Sequence, residues 1–277
     1  MKPSLKSRII TALICIPILI IALLVPIWGI SAIVIIASFI GLYEYFKTVD
    51  LLQHKALCVL GFIAAAVILL NILIPSRYLI LLTFAFVFAS FLIMLFSNKK
   101  INADKVGLLM FGLVYIPYFL SNIILIRDME LGNLFIWLVF IGSFLTDTMA
   151  FFVGITLGKH KLCPTISPKK TIEGAIGGTL GGILSFIVFG LIINYFFRDM
   201  LNGASLSLPL LAVLGFLVAI ASQIGDLTAS LIKRHYNIKD FGNIFPGHGG
   251  MLDRCDSIIL VAPVIYLFLS NINIFIK

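Results

Sequence analysis

Nine apolar runs, each close to the roughly 20 residues an α-helix needs to cross a hydrocarbon core about 30 Å thick, follow one another along this chain with short polar breaks. They are Ile9 to Pro26, Ile30 to Phe46, Ala56 to Ile74, Tyr78 to Phe96, Val106 to Ile126, Asn133 to Gly154, Ala175 to Phe197, Leu208 to Ile232 and Ser257 to Phe275. A chain of 277 residues so occupied leaves no room for a large soluble domain. Its 12% charged residues compare with roughly 25% in an average soluble domain. The expected fold is an all-α polytopic integral membrane protein with about nine transmembrane helices, forming a single membrane domain over residues 1–277.

Sidedness gives the net charge of +8 a meaning other than nucleic-acid binding. If loops alternate across the membrane, only Arg77, Arg127, Arg198 and Lys277 of the 20 Lys and Arg residues fall on one side. The excess belongs on the cytoplasmic side, which predicts a cytoplasmic N-terminus. Lys2, Lys6 and Arg8 before an apolar stretch resemble a signal peptide, but no small-residue cleavage pattern follows and a second run begins at once, so a retained first helix is expected. Cys15, Cys58, Cys163 and Cys255 lack paired spacing, which points away from a disulfide framework or a zinc site.

Acidic residues in or beside membrane segments are costly and usually mark a functional site or an internal ion pair. Glu44, Asp147, Asp226, Asp253 and Asp256 are of this kind. Asp226 and Asp253 flank one loop, an arrangement that lets their oxygens share a divalent cation. That loop contains KRHYNIKDFGNIFPGHGGMLDRCD, where Lys233, Arg234, Lys239 and Arg254 are interleaved with carboxylates, His248 and Gly242, Gly247, Gly249 and Gly250. Glycines let backbone amides approach anionic oxygens, and a following helix N-terminus favours anions. Carboxylates, cations and glycines together are the parts of phosphate chemistry. Positive-inside topology alone explains one or two of the cations but not the carboxylates among them. Asp256 is also a candidate cap for the ninth helix, and Thr171 or Ser167 for the seventh. GGTLGG, Gly177 to Gly182, looks like a nucleotide loop, but within an apolar span it favours close helix packing. A second polar loop adds Lys169, Lys170 and Glu173.

Ser230, Lys233, Arg234, Lys239, Asp240, Gly242, Pro246, Gly247, His248, Gly249, Gly250, Asp253, Arg254 and Asp256 together resemble the C-terminal signature of the phosphatidate cytidylyltransferases, or CDP-diacylglycerol synthases. SQIGDLTAS resembles the helix carrying that family's metal-binding aspartate, which falls on Asp226; SPKKTIEG and Asp147 with Ala150 and Gly154 resemble it as well. Two positions depart from the pattern: Ile172 stands where an aromatic is usual, and Phe151 where tyrosine is common.

The resemblance implies that CTP and phosphatidate give CDP-diacylglycerol and pyrophosphate. In that reaction Asp226 and Asp253, with Asp256 as a third carboxylate, would hold magnesium, alongside a second cation such as K+. Lys233, Arg234, Lys239 and Arg254 would hold phosphates. Ser230, His248, Gly249, Gly250, Lys169, Lys170 and Glu173 would line the cleft, with Asp147 deeper. Residues 131–277 would then be the catalytic half and 1–130 a scaffold giving lipid access. A homodimer in the plasma membrane, with its active site facing the cytoplasm, is also implied. A transporter or flippase for an anionic substrate is the alternative from another class, and CDP-alcohol phosphotransferases lack a matching motif here.

Overall fold

Each of the nine apolar runs is occupied by helix. The computed structural model describes residues 5–97, 100–201, 203–245 and 247–276; Lys2, Lys99, Pro246 and Lys277 lie outside them. The helices are α1 (Leu5–Leu24), α2 (Ile27–Thr48), α3 (Lys55–Leu69), α4 (Ser76–Phe96), α5 (Ala103–Leu113), α6 (Phe119–Asp128), α7 (Gly132–Thr156), α8 (Ile172–Phe196), α9 (Leu208–His235) and α10 (Leu252–Asn271). Six stretches among the described residues are long and apolar enough to cross a membrane: Ile27–Thr48, Arg77–Phe96, Ala103–Asp128, Gly132–Thr156, Ile172–Phe196 and Leu208–His235. α4 exposes Ile80, Phe84, Phe88 and Leu95, a surface suited to lipid rather than water.

The chain forms two compact units. The first comprises Met1–Leu125 and Tyr236–Cys255, the second Ile126–His235 and Asp256–Lys277.

In the first unit, Leu42, Tyr45 and Phe46 of α2 are buried with Leu57 of α3 and Leu109 of α5. Lipid is as apolar as leucine, so helices associate in a bilayer by close packing rather than by escape from water. Glycine supplies that closeness here: a Cβ at Gly112 would lie 2.6 Å from the Tyr45 ring, and one at Gly61 2.8 Å from both Phe46 and Leu109. Tyr45 spends its hydroxyl on the Leu108 carbonyl at 3.1 Å. α5 begins at Asn102, whose side chain accepts from the Lys105 amide at 3.1 Å. Proline inside a helix removes a hydrogen bond; around Pro117 the chain widens into a π turn, Val114–Tyr118, that joins α5 to α6.

In the second unit, α7, α8 and α9 meet along the GGTLGG stretch. A Cβ at Gly177 would strike Val153, at Gly178 Ala150 and the Thr146 carbonyl, at Gly181 Met149, and at Gly182 Ala219 of α9. The stretch is a packing seam inside a helix, as its place in an apolar run implies. Gln223 of α9 adds polar contacts to α8, donating to Thr179 Oγ1 at 3.1 Å and to the Ala175 carbonyl at 3.2 Å. Two small antiparallel ladders were not expected from the sequence. β1 (Lys161–Cys163) pairs with β2 (Ser167–Thr171) ahead of α8, and β3 (Ser205–Leu206) pairs with β4 (Phe275–Ile276).

Candidate active site

Within the first unit, the glycine-rich loop is a tight turn anchored by two carboxylates. The Phe245 amide donates to the Gly249 carbonyl at 3.0 Å and the His248 amide to the Phe245 carbonyl at 2.9 Å. Gly247 and Gly249 take φ of 83° and 85°, a region that side chains with a Cβ disfavour. Asp253 is 5% exposed, and its Oδ2 accepts from the Phe241 amide at 2.8 Å and the Gly250 amide at 3.0 Å. Glu44, reaching in from α2, accepts from the Met251 and Leu252 amides at 3.0 and 2.9 Å. α10 therefore starts at Leu252, and Asp256 lies a turn inside it rather than capping it. Lys239 stands exposed on this loop and Arg254 in the first turn of α10, while His248 and Gly249 are half-buried.

Within the second unit, carboxylates from three helices gather with lysines. Asp226 of α9 pairs with Lys170 of β2, Nζ to Oδ2 2.6 Å, with side-chain exposures of 31% and 26% respectively. Ser230, one turn further along α9, has its hydroxyl 3.5 Å from Asp226 Oδ1. Asp147 of α7 accepts from Ser222 at 3.3 Å and from Ser257 at 2.9 Å. Asp256 lies where Asp226 and Asp147 repel it and Lys233 attracts it. Gly225 permits this convergence, since a Cβ there would come 2.5 Å from the Asp256 carbonyl.

The β1–β2 hairpin is built by its own polar residues. Thr171 caps α8 by accepting from the Gly174 amide at 3.1 Å, while Ser167 lies in β2. Glu173 turns to the hairpin's start, accepting from the Lys159 and His160 amides at 3.1 and 3.2 Å and meeting His160 Nδ1 at 2.6 Å. Its carboxylate thus shapes the loop that presents Lys170. Arg234 Nε contacts the Ile166 carbonyl at 3.4 Å, and Lys169 is exposed.

Among the described residues, no three or more His, Cys, Asp or Glu side chains are grouped to hold a metal by themselves. Magnesium characteristically takes one or two carboxylates and completes its shell with water and substrate phosphates. The oxygen-only donors Asp226 and Asp256 fit that chemistry. A cavity of about 390 Å³ lies at the far end of α10, lined by Phe135 and Leu269–Phe275. Without a charged side chain, it offers no grip on a phosphate.

Glu44 is the residue whose place the sequence left open. Its isolation near the end of an apolar run signalled a buried carboxylate, but nothing local named its partners, more than 200 positions away.

Bilayer-length apolar helices, a cation-bearing glycine turn in one unit and a lysine-bound carboxylate cluster in the other mark an all-α membrane protein whose charged groups are gathered at a few places. The chain belongs to the cytidylyltransferase family, whose model it matches over residues 6–272. It is 38% identical over 170 residues to the phosphatidate cytidylyltransferase of Bacillus subtilis strain 168, covering 60% of this chain and 59% of that protein. It is 38% identical over 157 residues to that of Thermotoga maritima, 56% of each chain, and 41% identical over 163 residues to that of Rickettsia bellii, 57% of this chain and 67% of the relative. The matched stretch thus spans 59% and 56% of the first two relatives' own length.

Proposed function

We propose that this protein is a phosphatidate cytidylyltransferase, converting CTP and phosphatidate to CDP-diacylglycerol and pyrophosphate. The observation that carries the proposal is the 2.6 Å pairing of Lys170 with Asp226, a cation beside a hard-oxygen donor, in a chain of the cytidylyltransferase family. A phosphatidate oxygen forms the new bond to the α-phosphorus of CTP as the bond to the β-phosphate oxygen breaks, and pyrophosphate leaves with its electron pair. The attacking oxygen is already anionic, so no strong general base is required. The difficulty is bringing two polyanions together, which positioned cations relieve.

Asp226, Asp253 and Asp256 are the proposed magnesium ligands, with a second cation such as K+. Magnesium would neutralise charge on the triphosphate and the leaving group. Lys233, Arg234, Lys239 and Arg254 bind phosphates in this account, arginine gripping two oxygens at once. Lys170 exchanges Asp226 for a phosphate when substrate arrives; Lys169 and Ser230 of the second unit, and His248, Gly249 and Gly250 of the first, are the proposed substrate contacts. Asp147 keeps the helix ends in register through its two serines, and Glu173 holds the hairpin.

The same proposal includes nine spans with a cytoplasmic N-terminus, supported by the distribution of Lys and Arg. It places the site at the cytoplasmic face of a plasma membrane, with phosphatidate kept in the bilayer and a homodimer as the assembly.

Pyrophosphate release from detergent-purified protein tests the reaction. Release that requires magnesium, CTP and phosphatidate together supports it. Uptake of an anion into sealed vesicles without pyrophosphate release would favour a transporter instead.

A further inference from the structure

Glu44 is 3% exposed, yet it supplies one oxygen to each of two amides that begin α10: Oε1 to Met251 and Oε2 to Leu252. The positive end of a helix dipole favours such a charge. The loop also closes around this carboxylate. A Cβ placed on Gly242 would meet only Glu44 atoms as its nearest neighbours, and so would one on Gly250. The two glycines are thus the space that Glu44 occupies. Asp253 holds the same loop from within through Phe241 and Gly250. One local and one remote carboxylate therefore fix a segment that carries Lys239, His248 and Arg254.

We propose that Glu44 is a positioning residue: its carboxylate, delivered by α2, sets the glycine loop in the conformation in which its cations bind phosphate. The inference rests on the functional proposal above and adds a residue from the N-terminal half, outside the family signature, to its machinery. Charge and shape are both required. A glutamine keeps the shape but has only one acceptor oxygen and adds a donor facing an amide N–H.

The test uses the full chain in detergent, with pyrophosphate release and amide hydrogen exchange read on the same samples. Glu44→Ala and Glu44→Gln should each lower kcat/KM about 100-fold per folded molecule, the scale of a small misplacement of catalytic groups. Exchange should rise at residues 241–252 and stay unchanged in α7 and α8. Gly242→Ala should be impaired in the same way, yet cause no further loss in a Glu44→Ala background, because the atoms it strikes are gone. Full activity in Glu44→Gln would overturn the proposal, as would losses that multiply in the double variant. Should Glu44→Ala not fold, Glu44→Gln and Gly242→Ala decide alone. If wild-type protein releases no pyrophosphate, the functional proposal fails separately. Exchange then decides whether Glu44 fixes the loop, and unchanged protection at Met251 and Leu252 refutes it.

Discussion

Replacing Lys170 with methionine should separate stability from activity. At 2.6 Å from Asp226, and with an effective dielectric constant near 20, the gross attraction is about 6 kcal/mol. Both side chains keep about a quarter to a third of their exposure. Solvent screening, desolvation and the ordering of a flexible lysine bring the net value to roughly 1 kcal/mol. Lys170→Met should therefore lower the melting temperature by only about 2–4 °C, as expected for a chain of this size. The effect on rate should be larger, because the lost cation would act on charge in the transition state; a preorganised group of this kind is worth about 100- to 1,000-fold in kcat. Lys170→Arg should recover part of the rate, since the charge returns with a different geometry. Thermal unfolding by intrinsic fluorescence and pyrophosphate release, measured on the same preparation, provide the two numbers. A variant that melts far lower and loses activity only in proportion to its folded fraction would refute a role for Lys170 beyond the ion pair.

Substitutions at two further positions probe the scaffold. Gly178→Leu should prevent accumulation of folded protein, because even its Cβ would lie 2.9 Å from Ala150 and 3.0 Å from the Thr146 carbonyl; a monodisperse peak on size-exclusion chromatography at wild-type yield would contradict the packing assigned to the GGTLGG stretch. Thr171→Ala should cost about 1 kcal/mol through loss of the α8 cap, while Thr171→Ser should be close to neutral, both measured by thermal unfolding in detergent.

Most of the helical content was legible because apolar run length is a one-dimensional signal. The Thr171 cap and the glycine seam were legible for similar reasons, since both depend on neighbours within a turn or on the surrounding apolar run. Pro117 was visible as a residue, but the π turn that absorbs it depends on packing around Tyr115 and Ile116, which are buried. The β1–β2 hairpin leaves no sequence signal because its strands are three and five residues long and carry polar groups without an alternating apolar pattern. The start of α10 lies upstream of the sequence expectation for a physical reason. Local preference allowed Asp256 as the cap, whereas the remote carboxylate of Glu44 accepts the Met251 and Leu252 amides and moves the helix start upstream. The signature residues announced the chemistry. Their grouping into a loop held by Asp253 and Glu44, and a cluster around Asp226 and Lys170, required the fold.

The most direct test of the central claim follows the label of CTP carrying a radioactive α-phosphorus, supplied with magnesium and phosphatidate to wild-type protein and to Asp226→Asn. The label is expected to move into the organic phase as a CDP-lipid only when phosphatidate is present, and Asp226→Asn is expected to abolish the transfer while remaining folded. Label that stays in water with well-folded wild-type protein, or transfer that persists in Asp226→Asn, would contradict that claim.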